Sequence, residues 1–329
     1  TVLIMLFLGD TVMRWPTREV FFPRRTALVT SLAFALSPLV VIWSRIAVSD
    51  ALLSSTLGIS MLLIWRTYAK PKQQSWVYGW LFLGLAILTK GPVAIVLSSI
   101  SFLIFAICQR DYSNLFNRIK PVKGILISLF VSLPWYVMEL IKEGKPFWDS
   151  FFGYHNFQRL TSVVNSHQEP WWFFCLILVI ASLPFTPFLI AGLYDFSLSF
   201  FKSESKRLPE DSLLNFAGCW LLAVFILFSF AATKLPSYWL PATPAAAIII
   251  AFSASKMNGN SSKQLISILL STSLTFIFVV SLFAFKFWIY RISDPEIPRL
   301  SIELVNSRIN IKGGLILSIA TLNGLYILF

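Results

Sequence analysis

The sequence predicts an all-α polytopic membrane protein, and three observations predict it. Hydrophobic residues fill 57% of the 329 positions and charged residues only 13%, with a mean hydropathy of +0.74, whereas a soluble domain carries roughly a quarter charged residues. The apolar residues fall in runs of about 15 to 25, the length at which a helix crosses a hydrocarbon core. Runs such as LLAVFILFSF and FIFVVSLFAF show none of the alternation that a spanning strand requires. Helix is then the open-chain solution, because in lipid every backbone donor and acceptor must be bonded within its own segment.

The apolar segments run at about 1–13, 26–43, 51–66, 76–89, 92–107, 123–140, 171–193, 213–231, 236–253, 264–286 and 313–329. The first and last of them hold the chain ends, Thr1 and Phe329, and a partial chain is expected. Connections between successive spans alternate between the two sides of the membrane. The loops at 14–25, 67–75, 108–122, 194–212 and 254–263, with their flanks, carry 16 of the 27 Lys and Arg residues. Excess Lys and Arg mark cytoplasmic loops, so this set is expected inside and the set 44–50, 90–91, 141–170, 232–235 and 287–312 outside. The net charge of +12 is explained by this sorting, and no nucleic-acid partner is expected. Cys108, Cys175 and Cys219 lie in or beside apolar segments and form no disulfide framework or metal spacing.

The hairpin 76–89 and 92–107 is short. Its spans of 14 and 16 residues reach roughly 21–24 Å at 1.5 Å per residue, against a core of about 30 Å. Two readings stand: the turn at Lys90, Gly91 and Pro92 sits below the outer surface and lines a cavity, or tilt and local thinning absorb the difference.

The polar motifs fall on the outer side. In WSRIAVSDALL, Asp50 either caps the helix that follows or places a carboxylate at the mouth of a cavity, with Arg45 nearby to pair with it or with a phosphate. In LTKGPVA, Lys90 stands between two apolar segments, where a charge at mid-membrane depth costs about 2.5–3.5 kcal/mol. It either serves a function, such as holding a lipid phosphate, or snorkels to the interface. In FSFAATKLPSYWLP, Lys234, Pro236 and Tyr238 repeat the pattern of cation and helix-starting proline; an ordinary interfacial belt is the alternative. The stretch HNFQRLTSVVNSHQEPWWFF holds both histidines, His155 and His167, with Arg159, Trp171 and Trp172. If 148–160 is helical, Phe152, His155 and Arg159 share a face. One imidazole with a carboxylate would hold a divalent ion and the other a phosphate or hydroxyl, although two His a dozen residues apart make no zinc signature. Trp171 would stack on a sugar face or sit in the aromatic belt. Phosphate-loop, HExxH, GxSxG and CxxC motifs are absent from the sequence.

Taken together, ALSPLVVIWSRIAVSDALL, GLAILTKGPVA, PWYVM, FFGYHNFQRL, HQEPWWFF and ATKLPSYWLPATPAAAI resemble, in order and spacing, glycosyltransferase family 39. That family includes the protein O-mannosyltransferases and the bacterial aminoarabinose transferases that modify lipid A, and the bacterial branch matches best. The resemblance implies a GT-C fold over 1–255, lacking the first span and first outer loop, followed by C-terminal spans at 256–329 with an outer loop at about 287–312. It implies sugar transfer, with inversion, from a polyprenyl-phosphate donor to a lipid, glycan or protein acceptor, at the periplasmic face of a bacterial plasma membrane. It assigns Asp50 to a secondary acidic motif, a catalytic carboxylate in a lesser role that would take the acceptor's proton, and Lys90, Arg159, Lys234 and Tyr238 to the donor phosphate. Arg45, His155, His167 and Trp171 fall to substrate binding, and His155 or His167 to a divalent metal ion. The family's main carboxylates belong to the first outer loop, ahead of the matched motifs. A flippase or transporter of an amphipathic lipid-linked substrate is the rival class, and a membrane scaffold without activity a third; a carrier needs polar groups along a path through the membrane.

Overall fold

The computed structural model describes residues 2–15, 23–46, 48–72, 75–151, 153, 161–162, 169–201, 208–257 and 261–288, and every regular element among them is helical. The chain opens with α1 (Val2–Arg14), α2 (Pro23–Ala35) and α3 (Pro38–Trp43). Next come α4 (Ser49–Ala69), α5 (Trp76–Lys90), α6 (Val93–Gln109), α7 (Tyr112–Ile119) and α8 (Pro121–Glu143). The longer helices that follow are α9 (Phe173–Ala181), α10 (Thr186–Phe201), α11 (Leu213–Phe230), α12 (Thr243–Met257) and α13 (Ser261–Trp288). A 3₁₀ segment, Pro236–Ala242, leads into α12. The predicted span at 313–329 and most of the outer loop at 287–312 lie outside the described residues.

Among the described residues four helical stretches are long and apolar enough to cross a membrane: Tyr112–Glu143, Leu213–Phe230, Pro236–Met257 and Ser262–Ser281. The chain is an integral, multi-pass membrane protein. Prolines set many of the helix starts, at α3, α8 and the 3₁₀ segment, where the missing N–H costs no intrahelical bond. Pro38 also divides the predicted span 26–43 into α2 and α3.

The expected straight span 171–193 is corrected more deeply. It is two helices, α9 and α10, meeting at 120°. The physical reason is the run SLPFTPF: Pro184 and Pro187 cannot donate to a continuing helix, and a proline ring clashes with the preceding turn. α9 packs on α3, the 3₁₀ segment and α11, and Ser37 donates to the Ala181 carbonyl at its end, at 2.6 Å.

The centre of the bundle is α4 with the 3₁₀ segment and α12, nearly all of whose residues are buried. α8 is peripheral and presents apolar side chains such as Phe130 and Ile141 outward, as a lipid-facing helix must. Helices close on one another through small residues and hydroxyls. A Cβ on Gly84 would lie 2.9 Å from the Ser128 carbonyl oxygen, and one on Gly124 would enter the Trp80 indole. Ser60 donates to the Gly79 carbonyl at 2.8 Å, Ser128 to that of Trp80 at 2.7 Å, and Ser54 to that of Leu240 at 2.8 Å. These bonds lock α4 to α5, α5 to α8, and α4 to the 3₁₀ segment.

The end that the charge bias assigns to the cytoplasm is held by ion pairs. Arg66, at the foot of α4, has a side chain only 4% exposed and meets Asp10 at 2.9 Å. It also donates to Thr11 and to the Phe7 carbonyl at 3.3 Å, and its guanidinium lies 3.9 Å from the Phe7 ring centre and 4.9 Å from that of Trp15. Arg14 pairs with Asp10 at 2.6 Å, Tyr68 donates to Asp111 at 3.2 Å, and Lys256 meets Asp195 at 2.9 Å.

Candidate active site

α4 and α5 are antiparallel neighbours in extensive contact, so the first turn of one lies beside the last turn of the other. Asp50 stands in the first turn of α4, and Lys90 is the last residue of α5. Each sits at the helix end whose macrodipole favours its charge. They meet in an ion pair between Lys90 Nζ and Asp50 Oδ1. The reading of Asp50 as an N-cap is therefore corrected: α4 starts at Ser49, Val48 occupies the cap position, and the Asp50 carboxylate is spent on Lys90. The Lys90 side chain is 24% exposed and that of Asp50 12%.

Tyr238 supplies the third wall. Pro236 starts the 3₁₀ segment, and Tyr238 follows within it, buried, its ring stacked on Phe228 at 4.8 Å. The Lys90 ammonium lies 5.0 Å from the centre of the Tyr238 ring, inside the range of a cation–π contact. An ammonium has three donors and no acceptor. One is given to Asp50, so Lys90 can still bind an anionic oxygen while its carboxylate partner holds it in place.

The turn beneath Lys90 is fixed from both sides. Gly91 has φ +73°, a conformation that ends α5, and its N–H closes on the Ile87 carbonyl at 2.7 Å. Tyr136 of α8 donates to the same carbonyl at 2.6 Å. Around Tyr136 stands an aromatic wall: Trp135 at 5.0 Å, Phe151 at 5.4 Å, and Phe147 stacked on Phe151 at 5.5 Å.

Of the predicted site residues, Asp50, Lys90 and Tyr238 are brought together. Lys234 lies four residues before Tyr238, half-buried, with no ion-pair partner among the described residues. Thr233 beside it donates to the Ser162 carbonyl at 3.0 Å, which brings one point of the outer 141–170 loop onto the KLP turn. Arg45 is exposed just after α3, and the expected Arg45–Asp50 pair is replaced by Lys90–Asp50. Trp171 is 78% exposed before α9, and no ring contact or hydrogen bond joins it to the Lys90 cluster among the described residues. His155, Arg159 and His167, with the one-face reading of 148–160, lie outside the described residues. Among the described residues no three His, Cys, Asp or Glu side chains converge on a metal position.

Comparison with known proteins gives this geometry its context. Residues 4–138 match the family model of dolichyl-phosphate-mannose-protein mannosyltransferases. Among curated relatives, an uncharacterised protein of Aquifex aeolicus is 32% identical over 235 residues, covering 71% of this chain and 49% of its own length. The undecaprenyl phosphate-α-4-amino-4-deoxy-L-arabinose arabinosyl transferase of Erwinia tasmaniensis is 27% identical over 264 residues, covering 78% of this chain and 45% of its own. The crystal structure of ArnT from Cupriavidus metallidurans bound to undecaprenyl phosphate superposes with a TM-score of 0.70 at 19% identity, over 99% of this chain and 60% of that one. The chain resembles that mannosyltransferase family over its N-terminal part, residues 4–138. Its fold is GT-C. It spans about half the length of the curated relatives it matches.

The site has features that the sequence did not announce. Tyr136 and Phe228 are missed because a tyrosine or phenylalanine in an apolar run looks like core. The available signal for Tyr136 is chemical: a buried phenol needs a partner for its hydroxyl. Arg66 is also missed as a buried group, because Asp10 and Phe7 reach it from a distant part of the chain.

Proposed function

We propose that the protein carrying this chain transfers a sugar from a polyprenyl-phosphate donor to an acceptor at the periplasmic face of a bacterial inner membrane, with inversion at the anomeric carbon. The observation that carries the proposal is the half-buried Lys90 ammonium, held between Asp50 and the Tyr238 ring at the end of α5. A leaving phosphate gathers negative charge in the transition state, and preorganised cations in a low-dielectric site stabilise it most. In this reading Lys90 binds a donor-phosphate oxygen, and Lys234 and Arg159 add positive charge beside it. Tyr238 backs the ammonium, and Asp50, engaged by Lys90, orients that amine. Arg45, His155, His167 and Trp171 serve the substrates, residues 1–255 form the transferase core and 256–329 the C-terminal spans. His155 or His167 would hold a divalent ion. The acceptor is a lipid, glycan or protein.

A carrier needs polar groups along a path between the two faces. Among the described residues the charged groups of the central helix α4, Asp50 and Arg66, stand at its two ends, and the hydroxyls between them bond to carbonyls, as Ser54 and Ser60 do. That favours the transferase. The test is sugar transfer from an undecaprenyl-phosphate donor by the full-length protein and by its Lys90→Ala and Lys234→Ala variants. The proposal expects a loss of about 100-fold or more for Lys90→Ala, the scale of removing one transition-state charge donor. Undiminished transfer in both variants would overturn it.

A further inference from the structure

We propose that Tyr136 is a positioning residue for the transfer reaction: through its hydroxyl it holds the last turn of α5 and thereby fixes where Lys90 presents its ammonium. The inference deepens the donor-phosphate role given to Lys90 and rests on it.

The last turn of α5 is weakly closed from within. Gly91, at φ +73°, turns the chain out of the helix, and Pro92 has no N–H to offer the Leu88 carbonyl. At the end of the turn that carries Lys90, the Gly91 N–H closes on the Ile87 carbonyl. A carbonyl has a second lone pair, and Tyr136 fills it at 2.6 Å. The bond comes from a different helix, so it ties the turn to α8 and not merely to itself.

α8 is a firm anchor for such a tie. Lower on the same interface Ser128 donates to the Trp80 carbonyl, Gly84 lets Val131 and Ser128 approach, and Gly124 seats the Trp80 indole. Ile87 and Tyr136 form the top rung of this ladder. The Tyr136 ring, 8% exposed with its residue, is set by Trp135 and Phe151. The packing of α5 on α8 is thus secured by rungs that do not involve the hydroxyl. What the hydroxyl adds is the angular setting of the final turn. Lys90 lies three residues past Ile87 and reaches away from α8 toward Asp50 of α4 and the Tyr238 ring. A small rotation of that turn swings the end of a long, flexible side chain off its two partners.

The experiment compares Tyr136→Phe with Ser128→Ala in the full-length protein; each removes one α8-to-α5 hydrogen bond, and Tyr136→Phe keeps the ring. Tyr136→Phe is expected to lower kcat/KM for an undecaprenyl-phosphate sugar donor about tenfold with an unfolding midpoint like that of Ser128→Ala, which keeps full transfer. In a Lys90→Ala background, Tyr136→Phe is expected to cause no further loss. Equal losses in the two backgrounds, or parental activity in Tyr136→Phe, would overturn the inference. A second readout needs no activity: the rate of disulfide closure in an Asp50→Cys, Lys90→Cys protein falls several-fold when Tyr136→Phe is added, and an unchanged rate counts against the tie. Should closure respond while Lys90→Ala transfers normally, the tie stands and the donor-phosphate role of Lys90 falls.

Discussion

The two ends of the bundle each bury a cation beside a carboxylate and an aromatic ring, and they use that trio differently. At the end that the charge bias assigns to the cytoplasm Arg66 is 4% exposed, its guanidinium bonded to Asp10, Thr11 and the Phe7 carbonyl and flanked by the rings of Phe7 and Trp15. A guanidinium has five donors in a fixed fork, and here Nε and Nη2 bond to these three neighbours. At the opposite end Lys90 is 24% exposed, paired with one carboxylate and facing one ring at 5.0 Å. Its ammonium has donors to spare, and a half-buried second lysine, Lys234, stands near in sequence to the ring that backs it. A buried cation is therefore not by itself a site. What separates the two ends is access: the Arg66 side chain is 4% exposed and the Lys90 side chain 24%, so only Lys90 keeps donors where solvent or a substrate can reach them.

That contrast can be broken in four places, in falling order of expected effect. Lys90→Ala should cost about 100-fold or more in transfer, roughly 3 kcal/mol of transition-state stabilisation, with the thermal unfolding of the protein in detergent shifted far less. Arg66→Ala should do the reverse. It should destabilise by about 2–4 kcal/mol, since it empties a buried ion pair and a ring-packed volume, while transfer per folded molecule stays at the parental rate; calorimetry and single-point transfer read the two. Tyr238→Leu keeps bulk and removes the ring face, so kcat/KM for the donor should fall about three- to tenfold, the scale of a partly buried cation–π contact. Lys256→Ala removes an inner pair whose side chains are 56% and 34% exposed, and its unfolding midpoint should move by no more than about 0.5 kcal/mol allows.

Much of the fold was legible because span length and hydropathy are averages over many residues. The runs 51–66, 76–89, 92–107 and 213–231 reappear as α4, α5, α6 and α11 with ends shifted by a few residues. The same averaging hid the α9–α10 bend, since two prolines in an apolar run barely change its mean hydropathy yet stop a helix. Asp50 and Lys90 were each visible as charges at the rim of an apolar run, and the shortness of the 76–107 hairpin pointed to the turn between. That they pair with each other, and not Asp50 with Arg45, follows from the antiparallel contact of α4 and α5, which no local pattern records. Tyr238 was found through its proline and lysine neighbours. Tyr136 was not, because its importance lies in one hydroxyl and the carbonyl that it meets 49 residues away.

The most direct measurement sets the two buried cations against each other with the lipid phosphate itself. Undecaprenyl phosphate is titrated into the full-length protein, its Lys90→Ala variant and its Arg66→Ala variant, all in detergent and at a temperature where each is folded. We expect Kd to rise at least about tenfold for Lys90→Ala, the cost of about one charge-assisted hydrogen bond, and to stay unchanged for Arg66→Ala. Equal affinity in the parent and Lys90→Ala, or an equal loss in both variants, would contradict the assignment of the outer end as the phosphate site.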